Sequence, residues 1–192
     1  MTGGDHRSFV TRLDALKTDG CSLLVSGDVS SYAGHAATRR LMGAPTESRR
    51  RVLVLGGDVP AGHCLPGGVA PTDDHVAVVD DGPDTADPTD VAADVSDAVT
   101  ALEPDAGYDP GQLRVGVVTT DRGGDVDVVA RTARSVGDRV RDANGMGHCR
   151  LHVASDDAHA VAGGFDAHLE LRETPHVQQR WHLDEPTRWF DL

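Results

Sequence analysis

The sequence has a single lysine (Lys17), no isoleucine and one asparagine (Asn144) in 192 residues. Its three cysteines, Cys21, Cys64 and Cys149, are an odd number at wide spacing, which excludes the disulfide framework of a small secreted module. No apolar run approaches the roughly 20 residues of a membrane span, and the first twenty residues lack an apolar stretch of signal-peptide length. A membrane protein is therefore not expected. Also missing is a basic face. Eighteen Lys and Arg stand against 31 Asp and Glu. The one dense cationic cluster, Arg49, Arg50 and Arg51, lies directly before a predicted strand and reads as a solvated strand entry.

What is present is skewed within each sign. The 31 acidic residues are 26 Asp and 5 Glu, the 18 basic ones 17 Arg and 1 Lys, and the formal charge is -13. Hyperthermophile composition favours Lys and Glu, the reverse of this pattern. A short-stemmed carboxylate surface suits a protein kept hydrated in molar salt, so a halophile's cytoplasmic protein is expected. A GC-rich coding sequence accounts for part of the same skew. The Debye length is about 3 Å at 1 M salt, so net charge alone does not exclude DNA; the lack of a basic face makes a nucleic-acid partner unexpected.

Length and composition fit one α/β domain over 1–192, with a core over 1–164 and a C-terminal extension over 165–192. Helical spacing of Phe9, Leu13 and Leu16 predicts a first helix from Ser8 to Thr18, closed by Gly20. Short apolar runs predict strands at Ser22–Ser26, Arg51–Leu55, His75–Val79, Leu113–Thr119 and Arg150–Ala154. Helices are expected at His35–Met42, over the stripe Val91, Val95, Ala98, Val99 and Leu102, over Val126–Val140, and at Asp156–Ala162. DDGPDTADPTD is turn chemistry and reads as a loop. AHLELR (167–172), a turn at Thr174 and Pro175, and 177–183 read as an antiparallel hairpin. Strands alternating with helices imply a mostly parallel sheet covered on both faces.

In such a sheet a ligand lies beyond the strands' C-terminal ends, here the loops after Ser26, Leu55, Val79 and Thr119. A phosphate loop needs G-x-x-x-x-G-K-[ST], in which backbone N–H groups cradle phosphates, Lys neutralises them and the hydroxyl holds Mg²⁺. Counted from Gly27, the last three positions are Tyr32, Ala33 and Gly34. The second glycine, the lysine and the hydroxyl are all replaced.

The order GCSLLVSG, a helix ending RRLMG, RRRVLVLGGD, LRVGVVTTD, MGHCRLHV, FDAHLELR and QQRWHL resembles an uncharacterised haloarchaeal family of RecA/KaiC-like domains, from about Phe9 to Leu192. The resemblance implies a RecA-type core with a C-terminal β-hairpin. Active relatives use the phosphate loop and a carboxylate that ends the Walker B strand. Here the counterpart strand ends in Thr119 and Thr120, with Asp121 one step late. It follows that no cofactor is expected and that the chain is a pseudo-ATPase binding another protein in regulation or signalling. The alternative is an ATP-binding protein or weak ATPase using Mg-ATP. Its site would draw on Gly27, Ser30, Ser31, Tyr32, Gly34, Asp58 and Asp121, with Arg39 or Arg40 in place of the lysine. Tyr32 either stacks on a base or fills the space of a phosphate. RecA-type domains assemble into rings or filaments, so the resemblance extends to a homo-oligomer.

Other residues are weaker candidates. His148, Cys149 and His152 alternate on a strand, so three ligands do not converge and strand-edge residues are expected. His63 and Cys64 read as loop composition and Cys21 as a core side chain. Gly56, Gly57 and Asp58 have the residue types of a dinucleotide site, but G-x-G-x-x-G is absent after the first strand. Asp80 and Asp81 form a pair that 26 Asp make commonplace, and no nucleophile elbow is seen. Trp181, Trp189 and Phe190 either cap the sheet edge or form a partner surface.

Overall fold

In the computed structural model, residues 3–80, 87–119, 125–153, 155–183 and 185–192 are described. Chain order is α1 (Gly3–Asp19), β1 (Cys21–Ser26), α2 (Ser31–Leu41), β2 (Arg50–Leu55), α3 (Ala61–Cys64), β3 (Val76–Val79), α4 (Pro88–Ala101), β4 (Leu113–Val118), α5 (Val126–Asp142), β5 (Met146–Leu151), α6 (Ser155–Ala162), β6 (Ala167–Arg172), β7 (Gln178–His182) and β8 (Phe190–Asp191). Helix starts follow their caps. Ser30 Oγ accepts from the Ala33 N–H, and Asp125 accepts from the N–H groups of Asp127 and Val128. Asp87 accepts from Thr89, with Pro88 in the first turn, where its missing N–H costs nothing.

Among the described residues the strands form one sheet in the order β3-β2-β4-β5-β1-β6-β7-β8. The six from β3 to β6 are parallel. β7 and β8 add antiparallel at the β6 edge. Alternation along each strand divides the core. Leu24, Val52, Val54, Val115 and Val117 pack against Val91, Val95 and Val99 of α4 and Val129, Val136 and Val140 of α5. On the other face Leu23 and Val25 meet Leu16 of α1 and Ala33 and Ala37 of α2. Leu53, Leu55 and Val118 meet Met42, Cys64 and Leu65. A fully buried valine or leucine contributes about 1.5–3 kcal/mol, so these three clusters hold the sheet between its helices.

Six expectations are corrected. The first helix begins at Gly3 and the second at Ser31 rather than His35, because the Ser30 cap starts it as soon as the loop ends. A short helix, α3, occupies part of the Gly/Pro loop after β2. The fifth strand is Met146–Leu151, four residues earlier than Arg150–Ala154. Its His148, Cys149 and Arg150 are buried in the middle of the sheet, between β1 and β4, rather than at a strand edge. Arg51 of the Arg49–Arg51 cluster is not solvated, whereas Arg49 and Arg50 are partly exposed. Arg51 is fully buried, and its guanidinium donates to the carbonyls of Met42 and Ala44, closing the C-terminal end of α2. Last, the hairpin gains a third strand, β8. Trp181 is buried and edge-on to Phe9 of α1 at 6.3 Å, so it caps the sheet edge as core. Trp189 is half-buried, under the guanidinium groups of Arg172 and Arg180.

Candidate functional site

The parallel strands end together, and the loop from β1 to α2 lies at that edge. Its course is set by Gly27, whose φ of 142° is outside the range of other residues; a Cβ there would lie 2.3 Å from the Leu171 carbonyl oxygen of β6. The loop therefore lies hard against the end of β6. Two residues beyond that contact, Glu173 turns back over it. The Ser30 N–H donates to Glu173 Oε2 and the Ser30 hydroxyl to Oε1, both at 2.8 Å. These two bonds hold the Glu173 carboxyl below its ordinary carboxylate range. A carboxylate of the chain itself thus sits on the donors at the mouth of α2, where a helix N-terminus offers itself to an anion.

The residues singled out from the sequence distribute as follows. Gly27, Ser30 and Ser31 form the loop and first turn, and Tyr32 stands out from it, 74% exposed. Gly34 faces into the sheet, where a Cβ would fall 2.1 Å from Nε of the buried Arg150. The helix position can only be glycine while Arg150 lies there. Arg39, in the last turn of α2, reaches back: its guanidinium is 5.9 Å from the Tyr32 ring centroid and Nη1 donates to the His63 carbonyl at 2.6 Å. Arg40 is not brought to the loop. It lines a cavity of about 460 Å³ at the opposite edge, where the strands begin, beside Phe9, Leu13, Arg114 and Trp181. In that wall burial, then the neighbouring Arg49, lowers the Arg114 pKa to about 10. Asp58 is exposed in the turn after β2. Asp81, Thr120 and Asp121 lie outside the described residues.

Cys21 and Cys64 are buried thiols held in their protonated form. Burial raises the Cys21 thiol to about 12, with Asp166 adding to it, and burial raises Cys64 to about 11. His148 faces the α2 side across Gly116, while Cys149 lies in the core on the α4–α5 side, so these two diverge as strand alternation requires. His152 lies near the β1 loop, with Nε2 3.7 Å from Asp28 Oδ1. Glu173 was not among the sequence candidates. The only sign of it was an acidic residue at the hairpin turn, 143 positions from its partner.

Fold and site together define an α/β domain with a mostly parallel sheet and an antiparallel C-terminal extension, whose first strand–helix loop is occupied by its own glutamate. The chain belongs to DUF7504, a family of unknown function, whose model matches residues 20–171. Curated proteins show no match to the chain. No described helix is long and apolar enough to cross a membrane.

Proposed function

We propose that the chain is a catalytically silent RecA/KaiC-like domain of a salt-rich cytoplasm that acts by binding another protein, in regulation or signalling. The observation that carries this reading is the seat of Glu173 on Ser30. A phosphate group needs the loop's amide donors together with a cation, and here the donors at Ser30 face a carboxylate. The lysine and the Mg²⁺ hydroxyl of a phosphate loop have no counterpart at Ala33 and Gly34. Arg39, a cation near the loop, is engaged with the His63 carbonyl, and the Arg150 guanidinium lies buried beneath Gly34. An anion entering this loop would have to displace Glu173 and would meet its charge.

Thermal unfolding in molar KCl, with and without millimolar Mg-ATP, Mg-ADP or Mg-GTP, tests the reading. The expected result is an unchanged Tm. A ligand at a hundred times its Kd adds about 2.7 kcal/mol, which for a domain of this size raises Tm by roughly 5–11 °C and would overturn the proposal. A second reading, nucleotide binding without the usual lysine, draws on Arg39 and the exposed Tyr32 at the loop's mouth, a cation and a ring that suit a phosphate and a base. It requires a nucleotide-dependent shift that Arg39→Ala abolishes.

A further inference from the structure

Beyond this loop, β6, β7 and α6 bring three histidines together. His168 of β6 and His182 of β7 are cross-strand partners, their rings stacked with centroids 4.8 Å apart and planes 17° from parallel. His159 of α6 stands edge-on to both, at 5.4 and 5.5 Å. One ring nitrogen of each histidine lies within 4.8 Å of the others, and among the described residues this is the trio with the geometry of a metal ligand set.

The surroundings are those of a site built around its rings. Nε2 of His168 is 2.7 Å from the hydroxyl of Ser26, the last residue of β1. Nε2 of His182 is 2.8 Å from Oε2 of Glu170, which is buried and also takes the guanidinium of Arg180. Imidazoles that ligate a metal are commonly held through their second nitrogen by a carboxylate or hydroxyl, which fixes the ring and raises its basicity. The independent mark is the other nitrogen of His168. Its ring is only 3% exposed, yet Nδ1 is buried without a hydrogen-bond partner, which costs free energy unless something binds there.

We infer that His159, His168 and His182 form a binding site for a transition-metal ion of the Zn²⁺ type, with Ser26 and Glu170 holding the two strand histidines. Imidazole selects Zn²⁺ and its first-row neighbours over Mg²⁺ and Ca²⁺, which prefer oxygen. Bonds of about 2.05 Å at the tetrahedral angle place ligand nitrogens roughly 3.3 Å apart. The stacked rings of His168 and His182 tilt apart to share the ion, and His159, exposed on the short α6, moves in to close the remaining distance. Three protein ligands leave one position open to water or another small donor.

The test uses the full chain, free of any histidine tag and stripped with chelator, titrated with Co²⁺ and then Zn²⁺ in molar KCl with millimolar Mg²⁺. Under these conditions the abundant surface carboxylates are occupied or screened. The expected result is one Co²⁺ per chain, the intense visible bands of tetrahedral coordination, and displacement by one Zn²⁺. His159→Ala, on an exposed helix position that leaves the fold intact by circular dichroism, and His182→Ala each weaken binding by about 10-fold or more. Failure of the wild-type chain to take up either ion would overturn the inference. So would uptake whose affinity neither variant changes, because carboxylates would then be holding the ion.

Discussion

Arg51 sits where a sheet interior usually holds an aliphatic side chain, and it does so because α2 ends above it. Nε donates to the carbonyl of Met42, the C-cap of α2, at 3.0 Å, and Nη2 to the Ala44 carbonyl just beyond it at 2.9 Å. Burial first, then Arg49, lowers its pKa from the ordinary arginine value. Arg51→Met keeps the stem and removes the donors. It is expected to cost about 2–4 kcal/mol, a fall in Tm of roughly 4–16 °C, whereas Arg51→Lys recovers part of the loss with one donor group instead of a fork. His148 makes the opposite contribution under acid. Burial, with Arg114 second, lowers its pKa to about 3, and its Nε2 is buried without a hydrogen-bond partner. The unfolded chain, with an ordinary histidine near 6.5, binds the proton first. The stability His148 provides is therefore complete above about pH 6.5 and is lost as pH falls toward about 3, each unit of pKa difference being worth about 1.4 kcal/mol. Urea midpoints followed from neutral to mildly acid buffer are expected to fall more steeply for wild type than for His148→Leu, which lacks the titrating ring. Equal slopes would show that His148 does not carry it.

At the scale of elements, the β6–β7 hairpin reaches both sites: Leu171 closes on Gly27, Glu173 just beyond β6 covers Ser30, and His168 and His182 face α6. Gly27→Ala has to push its Cβ off the Leu171 carbonyl and adopt a φ that alanine avoids. A loss of at least about 2 kcal/mol is expected, read as a Tm lower by roughly 4–8 °C, and a smaller change would mean that loop and β6 are not in register contact. The strands β1, β2 and β4 were legible because strands buried on both faces read as unbroken apolar runs. β5 was not, since MGHCRL carries a glycine, a histidine and an arginine whose burial depends on Gly116 and Gly34 opposite them. The loop after β1 was legible as a departure from the phosphate-loop pattern. Its occupant was not, because nothing local links Glu173 to Ser30. The histidine trio is also hidden in the sequence, where His159, His168 and His182 are separated by 9 and 14 positions with no motif. A trace survives in the alternation of β6: His168 and Glu170 share one face with Ser26 while Leu169 and Leu171 take the other. A strand whose polar face is also buried has something to hold it there.

The whole molecule carries a formal charge of -13, and its surface carboxylates repel one another more in the compact state than in the extended one. Shortening the Debye length from about 10 Å at 0.1 M to about 3 Å at 1 M relieves that repulsion. Tm is therefore expected to rise steadily from dilute buffer into molar KCl, and a flat or falling curve would show that the acidic surface does not limit stability. The same scale governs how the chain is completed. Phe9 of α1 meets Trp181 and Phe190 at 6.3 and 6.5 Å, so the first helix is held down by the last strands. These partners are 172 and 181 positions apart in sequence, both ends of a very long loop in the unfolded chain. Contacts so distant are paid for in closure entropy before they return any energy, and they slow folding accordingly. During synthesis the ring contacts of Phe9 form only after Trp181 and Phe190 have emerged, so α1 is locked against the antiparallel edge late in folding.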